Sequence, residues 1–271
     1  MRDLLLIKFG GSLLTDKRRP DTARPEVVTR LARELAAEIA RPAAPLVVLG
    51  HGSGSYGHVA AARFGLADGW TDPISQRPGI ALTQRRAADL HRRVIAALIE
   101  AGAAPFSIPP SACTLARDGR PEEMFAEPVA RALDLGLLPV VFGDVVLDRS
   151  QGVTICSTEA AFGALLRALP PHGYRPARAL WLGETAGVLD EAGRTIEQLA
   201  ALPDGTSSDL PTGVGGAAGT DVTGGMSHRL QTAFDFAAAS VPSVIFDGRD
   251  PGALARAIRG EEVSGTLITG A

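Results

Sequence analysis

Apolar runs alternate along this chain with segments whose apolar positions recur at helical spacing. That is the pattern of βαβ units feeding a mainly parallel sheet, and so of an α/β fold. Residues 4–9 read as a fully buried strand that ends in Gly10-Gly11, and residues 46–49 as the next strand. Residues 106–108, 140–142, 179–182 and 243–246 read as further strands, and the tail "GTLITG" as a last one. Between them, helices are predicted over 26–39, from about 59 to 64, and over 79–101, where Gly102 supplies the stop. Others are predicted over 127–134, 158–169, 226–239 and 251–259. Residues 64–77 hold turn formers and Trp70 and read as a loop or lid; the Gly/Ser/Thr/Asp-rich stretch after residue 200 reads as another loop. No internal repeat or linker interrupts the pattern, so residues 1–271 are expected to form one domain with two lobes around a cleft.

Composition narrows the function classes. With 45% hydrophobic and 5% aromatic residues, the chain can bury a large core filled mostly by Ala, Leu and Val. The formal charge of −3 offers no basic footprint for nucleic acid. Cys113 and Cys156 are too few for a disulfide framework or a metal cluster and read as reduced thiols. The N-terminus runs from "MRD" straight into a strand, without a signal peptide, and no apolar run approaches the ~20 residues of a membrane span. A soluble cytoplasmic protein is expected, with neither nucleic-acid nor membrane partners.

Candidate chemistry gathers at strand ends. Glycine turns follow predicted strands at Gly10-Gly11-Ser12, at Gly52 to Gly57, at Gly143-Asp144 and at Gly183 to Gly187, and Gly224-Gly225 opens a helix. In an open α/β sheet such turns converge on one crevice, where glycine N–H groups and helix N-termini favour phosphate. Lys8 and Lys17 are the only lysines in the chain; the other 25 cations are arginines. Lys8 sits inside an apolar strand, so it is either an exposed edge lysine or reaches a counter-charge at the strand end. Lys17 is either a solvated residue or a point charge for phosphoryl oxygens. Asp144 reads as a ligand carboxylate or a turn cap. His58, directly after three glycines, points into the presumed anion pocket or packs on the loop as an ordinary helix residue. His51 receives no role, and His91, His172 and His228 read as surface residues. No spacing suits a metal site or a Ser/His/Asp nucleophile.

Gly52, Gly54 and Gly57 also form a literal G-x-G-x-x-G, which leaves an NAD-dependent oxidoreductase open, with Asp68 or Asp72 as ribose partner. That reading leaves both lysines idle. A non-catalytic nucleotide-binding sensor is a further alternative.

In chain order, "IKFGGSLLTDK", "GHGSGSYGH", "PVVFGDVV" and "DVTGGM" resemble the amino acid kinase superfamily and, within it, the isopentenyl phosphate kinases. The likeness covers nearly the whole chain and closes on "FDGRDPGALARAIRGEEVSGTLI". Lys-x-Gly-Gly-Ser marks only the superfamily; "DVTGGM" with a glycine loop ending in histidine is specific. The resemblance implies a three-layer αβα sandwich around a mainly parallel open sheet, usually dimeric. ATP, carrying Mg²⁺, would bind over the C-terminal half and the phosphate acceptor over the N-terminal half. Lys8 and Lys17 would contact the transferring phosphoryl group. Gly10, Gly11, Ser12, Ser53, Gly183, Glu184, Gly224, Gly225 and Arg229 would meet ATP. Gly52, Ser53, Gly54, Gly57 and His58 would hold the acceptor's phosphate, with Gly143, Asp144, Ile155 and Thr158 completing that side. A phosphonate kinase of the fosfomycin type shares the histidine loop and is the nearest alternative.

The chain departs from the pattern in places. The lysine expected after "DVTGGM" is Arg229, the usual Ser-Gly-Asp after the mid-chain hairpin is Ser157-Thr158-Glu159, one nucleotide-loop carboxylate is Ala186, and Tyr56 replaces a phenylalanine. The implied chemistry needs no general base. A phosphate monoester has a second pKa of about 6, so near neutrality it is already an anionic nucleophile. The enzyme need only align it and neutralise spread charge, with His58 donating an orienting hydrogen bond. Residues 79–101 and Ile155 are expected to supply an apolar wall for the acceptor's tail.

Overall fold

The computed structural model describes residues 1–16, 18–202, 206 and 225–271. Lys17 and Gly224 therefore lie outside the described residues. The apolar runs become strands β1 (Arg2–Phe9), β2 (Leu46–His51), β3 (Pro105–Ser107), β4 (Thr114–Arg117), β5 (Arg120–Met124), β6 (Leu138–Phe142), β7 (Asp144–Asp148), β8 (Gly152–Cys156), β9 (Tyr174–Gly183), β10 (Gln198–Ala201), β11 (Ser243–Asp247) and β12 (Gly265–Gly270). The helices are α1 (Gly11–Leu14), α2 (Pro25–Ile39), α3 (Gly54–Arg63), α4 (Pro73–Glu100), α5 (Pro110–Cys113), α6 (Glu127–Asp134), α7 (Thr158–Ala168), α8 (Gly225–Ala238) and α9 (Ala253–Arg259).

Eight strands form the main sheet in the order β10-β12-β11-β9-β1-β2-β6-β3, with β11 and β12 its antiparallel pair. Alternation along β1 divides the core. Leu5, Ile7 and Phe9 face α2, α4 and α9, whereas Leu4 and Leu6 face α6, α7 and α8. Helices on both faces of a mainly parallel sheet make the expected αβα sandwich. Because β2 and β9 flank β1 on opposite sides, strands from the first half of the chain lie to one side and those from the second half to the other. This reversal is the place where such sheets open a ligand crevice, at the carboxyl ends of the strands.

Four features differ from the sequence reading. The mid-chain hairpin is part of a separate four-stranded sheet, β5-β4-β7-β8, whose short and partly polar strands carry little periodicity. Strand β10 also escaped the pattern, being four residues long. Helix α3 begins at Gly54, because glycine residues that look like loop sustain its first turns. Helix α4 begins at Pro73, inside the segment expected to be a loop or lid. Asp72 accepts from the Ile74 and Ser75 N–H groups and Pro73 takes the first helical position, so the helix nucleates ahead of Pro78. Buried Gln76 then ties the preceding loop down, accepting from the Thr71 and Asp72 N–H groups and donating to the Gly69 carbonyl. No helix among the described residues is long and apolar enough to cross a membrane.

Candidate active site

Backbone hydrogen bonds stitch together the strand ends that line the crevice. Gly10 N donates to Leu182 O at 2.9 Å, Gly52 N to Phe9 O at 3.0 Å, Gly143 N to His51 O at 3.1 Å and Gly248 N to Gly183 O at 2.9 Å. The glycines after β1 and β2 serve one another before any ligand. A Cβ on Gly11 would stand 2.5 Å from Gly54 N, and one on Gly52 would stand 2.7 Å from Gly11 N. Gly54 also has φ +52, a conformation that favours glycine. The two loops therefore touch backbone to backbone. Thr15 locks the contact, donating to Gly11 O at 2.8 Å while its Oγ1 accepts from Ser55 N at 3.0 Å.

On the α7 and α8 side of the sheet, Lys8 is buried and pairs with Glu159. The edge-lysine alternative is thus excluded, and the counter-charge comes from the residue that departs from Ser-Gly-Asp. Ser157 caps α7, accepting from Ala160 N at 3.1 Å, and this sets Glu159 in the first turn, where the helix favours negative charge. Burial would raise the Glu159 carboxyl, but Lys8 and Arg229 beside it hold it at about 2. Arg229 is itself buried and lies over the glycine turns; a Cβ on Gly183 would stand 2.7 Å from its Nη1, and one on Gly10 3.6 Å from its Nη2. Among the described residues, this cluster sets two cations beside one carboxylate. The buried Arg229 Nε and Thr185 Oγ1 have no hydrogen-bond partner among the described residues.

The remaining sequence-selected residues fall into place around this centre. Ser12 is half-buried at the first turn after β1. Ser53 is buried and donates to Gly143 O at 2.5 Å, and Gly57 packs so closely that a Cβ there would stand 2.6 Å from the Ser53 Cβ. His58 lies on the exposed side of α3, at the end of the same loop. Glu184 pairs with Arg24 at 2.5 Å, which ties the loop after β9 to the start of α2. Thr158 turns inward, donating its hydroxyl to His51 O at 2.6 Å. Asp144 acts as a cap, accepting from Ser111 N at 3.0 Å and Val145 N at 2.8 Å; burial raises its pKa, opposed by these bonds. Ile155 is half-buried against Leu66, Val145 and Val153, with Phe64 and Ile80 alongside. Gly225 begins α8.

His91 corrects the sequence reading, because it is buried rather than on the helix surface. It shares the inward face of α4 with Ala87, Leu90 and Val94, while Arg92 and Arg93 after it are exposed. Exposed His172 and His228 lie where expected. Glu159 was visible in the sequence only as a departure; a serine cap followed two residues later by an acid was the available signal. Asp72, offered as a ribose partner, is committed to capping α4.

Comparison with known proteins agrees with this fold. The model of the amino acid kinase family matches residues 3–247. The isopentenyl phosphate kinase of Methanothermobacter thermautotrophicus is 30% identical over 278 residues, covering 98% of this chain and 99% of the relative. That of Haloferax volcanii is 31% identical over 273 residues, covering 98% and 99% respectively. A crystal structure of an isopentenyl phosphate kinase superposes with a TM-score of 0.80 at 26% identity, over 98% of this chain and all of that one.

Proposed function

The chain belongs to the amino acid kinase family, and from that premise we propose that it transfers the γ-phosphoryl group of Mg–ATP to isopentenyl phosphate, forming isopentenyl diphosphate. The observation that carries this reading is the Lys8–Glu159–Arg229 cluster, set at the sheet's reversal point beside two interlocked glycine loops. Full-length similarity to isopentenyl phosphate kinases supports the choice of acceptor.

Phosphoryl transfer asks for alignment and for compensation of charge spreading over the moving oxygens. Lys8 meets the second need from a fixed position, because Glu159 holds its ammonium at the strand end. Arg229 extends that field over Gly10 and Gly183, where the nucleotide phosphates would lie. The Thr185 hydroxyl, without a hydrogen-bond partner among the described residues, suits a polar group of ATP in the same loop. The acceptor's phosphate would sit against the loop from Gly52 to Gly57, with His58 donating to it. Lys17 and Gly224 keep the roles that the resemblance implies, at the phosphoryl group and the nucleotide. Mg²⁺ would arrive with ATP as part of the co-substrate and would offset the negative charge of its phosphates. The apolar cluster of Leu66, Val153 and Ile155, with Phe64 and Ile80, suits a short branched hydrocarbon tail. A homodimer is part of the same proposal, and light scattering at assay concentration tests it.

The deciding experiment is a substrate panel of isopentenyl phosphate, dimethylallyl phosphate and fosfomycin with Mg–ATP, followed by ADP release and product mass. Isopentenyl diphosphate is the expected product. Turnover of fosfomycin alone would reverse the assignment, and ATP binding without turnover would point to a sensor.

A further inference from the structure

His51 has no part in the chemistry above, yet both of its ring nitrogens have partners beneath the acceptor loop. It is fully buried at the end of β2, and His91 reaches it from α4. His51 Nε2 lies 2.9 Å from His91 Nδ1, and His91 Nε2 lies 2.7 Å from the hydroxyl of exposed Ser107 on the edge strand β3. At the other end, His51 Nδ1 lies 3.2 Å from the carbonyl oxygen of Gly52. Phe142, at the end of β6, stacks on both imidazoles, with ring centroids 4.2 Å from His91 and 5.7 Å from His51.

These contacts admit only one arrangement of protons in a neutral pair. A carbonyl oxygen accepts and cannot donate, so His51 must carry its proton on Nδ1. Its Nε2 is then bare and must accept, which makes His91 Nδ1 the donor. His91 Nε2 is bare in turn and accepts from the Ser107 hydroxyl. The chain runs in one direction, from a surface serine to the first carbonyl of the glycine loop. Both imidazoles are thereby held as the Nδ1–H tautomer. The backbone of His51 is tied as firmly, since its carbonyl accepts from Gly143 N and from the Thr158 hydroxyl.

We propose that His51 and His91 are positioning residues for the acceptor loop, fixing Gly52 through this one-way hydrogen-bond chain so that the loop meets a phosphate acceptor in one geometry. The inference rests on the proposed role of the loop as the acceptor clamp. Gly52 is the residue whose backbone packs on Gly11, so a shift of its carbonyl would move the acceptor loop against the loop after β1. Removing the His91 donor would leave the buried His51 Nε2 unsatisfied and release the loop to a second arrangement.

Two readouts test it. Nitrogen-15 NMR of histidine-labelled protein near pH 7.5 is expected to show both residues as Nδ1–H, the less common tautomer in water; an Nε2–H signal from either overturns the chain. In steady-state kinetics, His91→Leu is expected to raise KM for isopentenyl phosphate roughly tenfold or more, as loss of one buried hydrogen bond would, with KM for ATP unchanged. His91→Asn, whose amide can take over the donor position, is expected to restore most of that loss. Equal effects on both substrates, or no rescue by asparagine, would show a merely structural pair. Should His91→Leu fail to fold, the comparison of His91→Asn with wild type and the wild-type tautomers still decide. The clamp itself is judged separately by His58→Ala. If that variant leaves acceptor KM and turnover unchanged while both Nδ1–H signals are present, the clamp reading fails and acceptor positioning fails with it.

Discussion

Lys8 and Glu159 show how one buried pair can serve both stability and chemistry. An ammonium inside an apolar strand is tolerable only beside a fixed anion, and the first turn of α7 presents one. Removing one partner of such a pair strands the other charge, at a cost of roughly 3–5 kcal/mol. Glu159→Gln is therefore expected to lower the unfolding free energy by that order in urea titrations, and to reduce turnover more than ATP affinity. His58 is exposed on α3, at the end of the glycine loop. Its replacement by alanine is expected to cost roughly two or more decades in kcat, the scale seen when a positioned donor is lost. Near-wild-type rates would remove His58 from the mechanism.

At the scale of elements, the meeting of α4 with the end of α3 makes a prediction opposite to helix propensity. Gly79 lies inside α4, where alanine should be favoured by about 1 kcal/mol. A methyl group there would stand 2.6 Å from the Phe64 Cβ and closer still to the nearest ring carbon, so the helix would have to move off the residue it packs on. Overpacking of this kind costs roughly 1–3 kcal/mol. Gly79→Ala is expected to lower the denaturation midpoint, and a raised midpoint would show that Phe64 can swing aside. The apolar cluster around Ile155 lies next to this junction, so acceptor-tail selectivity should change with it. The same region shows where sequence patterning fails. The turn formers and Trp70 argued for a loop over residues 64–77, and the cap at Asp72 and the buried Gln76 explain why the helix starts at Pro73, six residues before the expected start at 79.

For the whole molecule, buried histidines set an acid limit. Burial first, then the charge of Lys8, brings His51 down to about 4; burial, then His51 and Arg92, brings His91 down to about 3. Both are normally near 6.5, so below that pH the unfolded chain takes up protons that the folded chain refuses. Stability is thus complete above about 6.5 and falls towards 4, by about 1.4 kcal/mol per pH unit for each histidine once the unfolded state is protonated. Glu159 adds a lower window, losing its contribution as pH falls from about 4.5 towards 2. Urea midpoints between pH 7.5 and 4.5 are expected to decline, and His91→Asn to flatten the slope.

The sequence by itself determined the α/β alternation, the order of the glycine turns and the family resemblance, because periodicity and motif spacing are local properties written in neighbouring residues. It also singled out Lys8, since a charge inside an apolar run needs a partner. It could not name that partner, because Glu159 lies 151 residues away and only the sheet topology brings α7 to the end of β1. The pairing of His51 with His91, the backbone contact of Gly11 with Gly52, and the small four-stranded sheet were decided in the same way. Each joins segments far apart in the chain, and packing alone determines which distant residues meet.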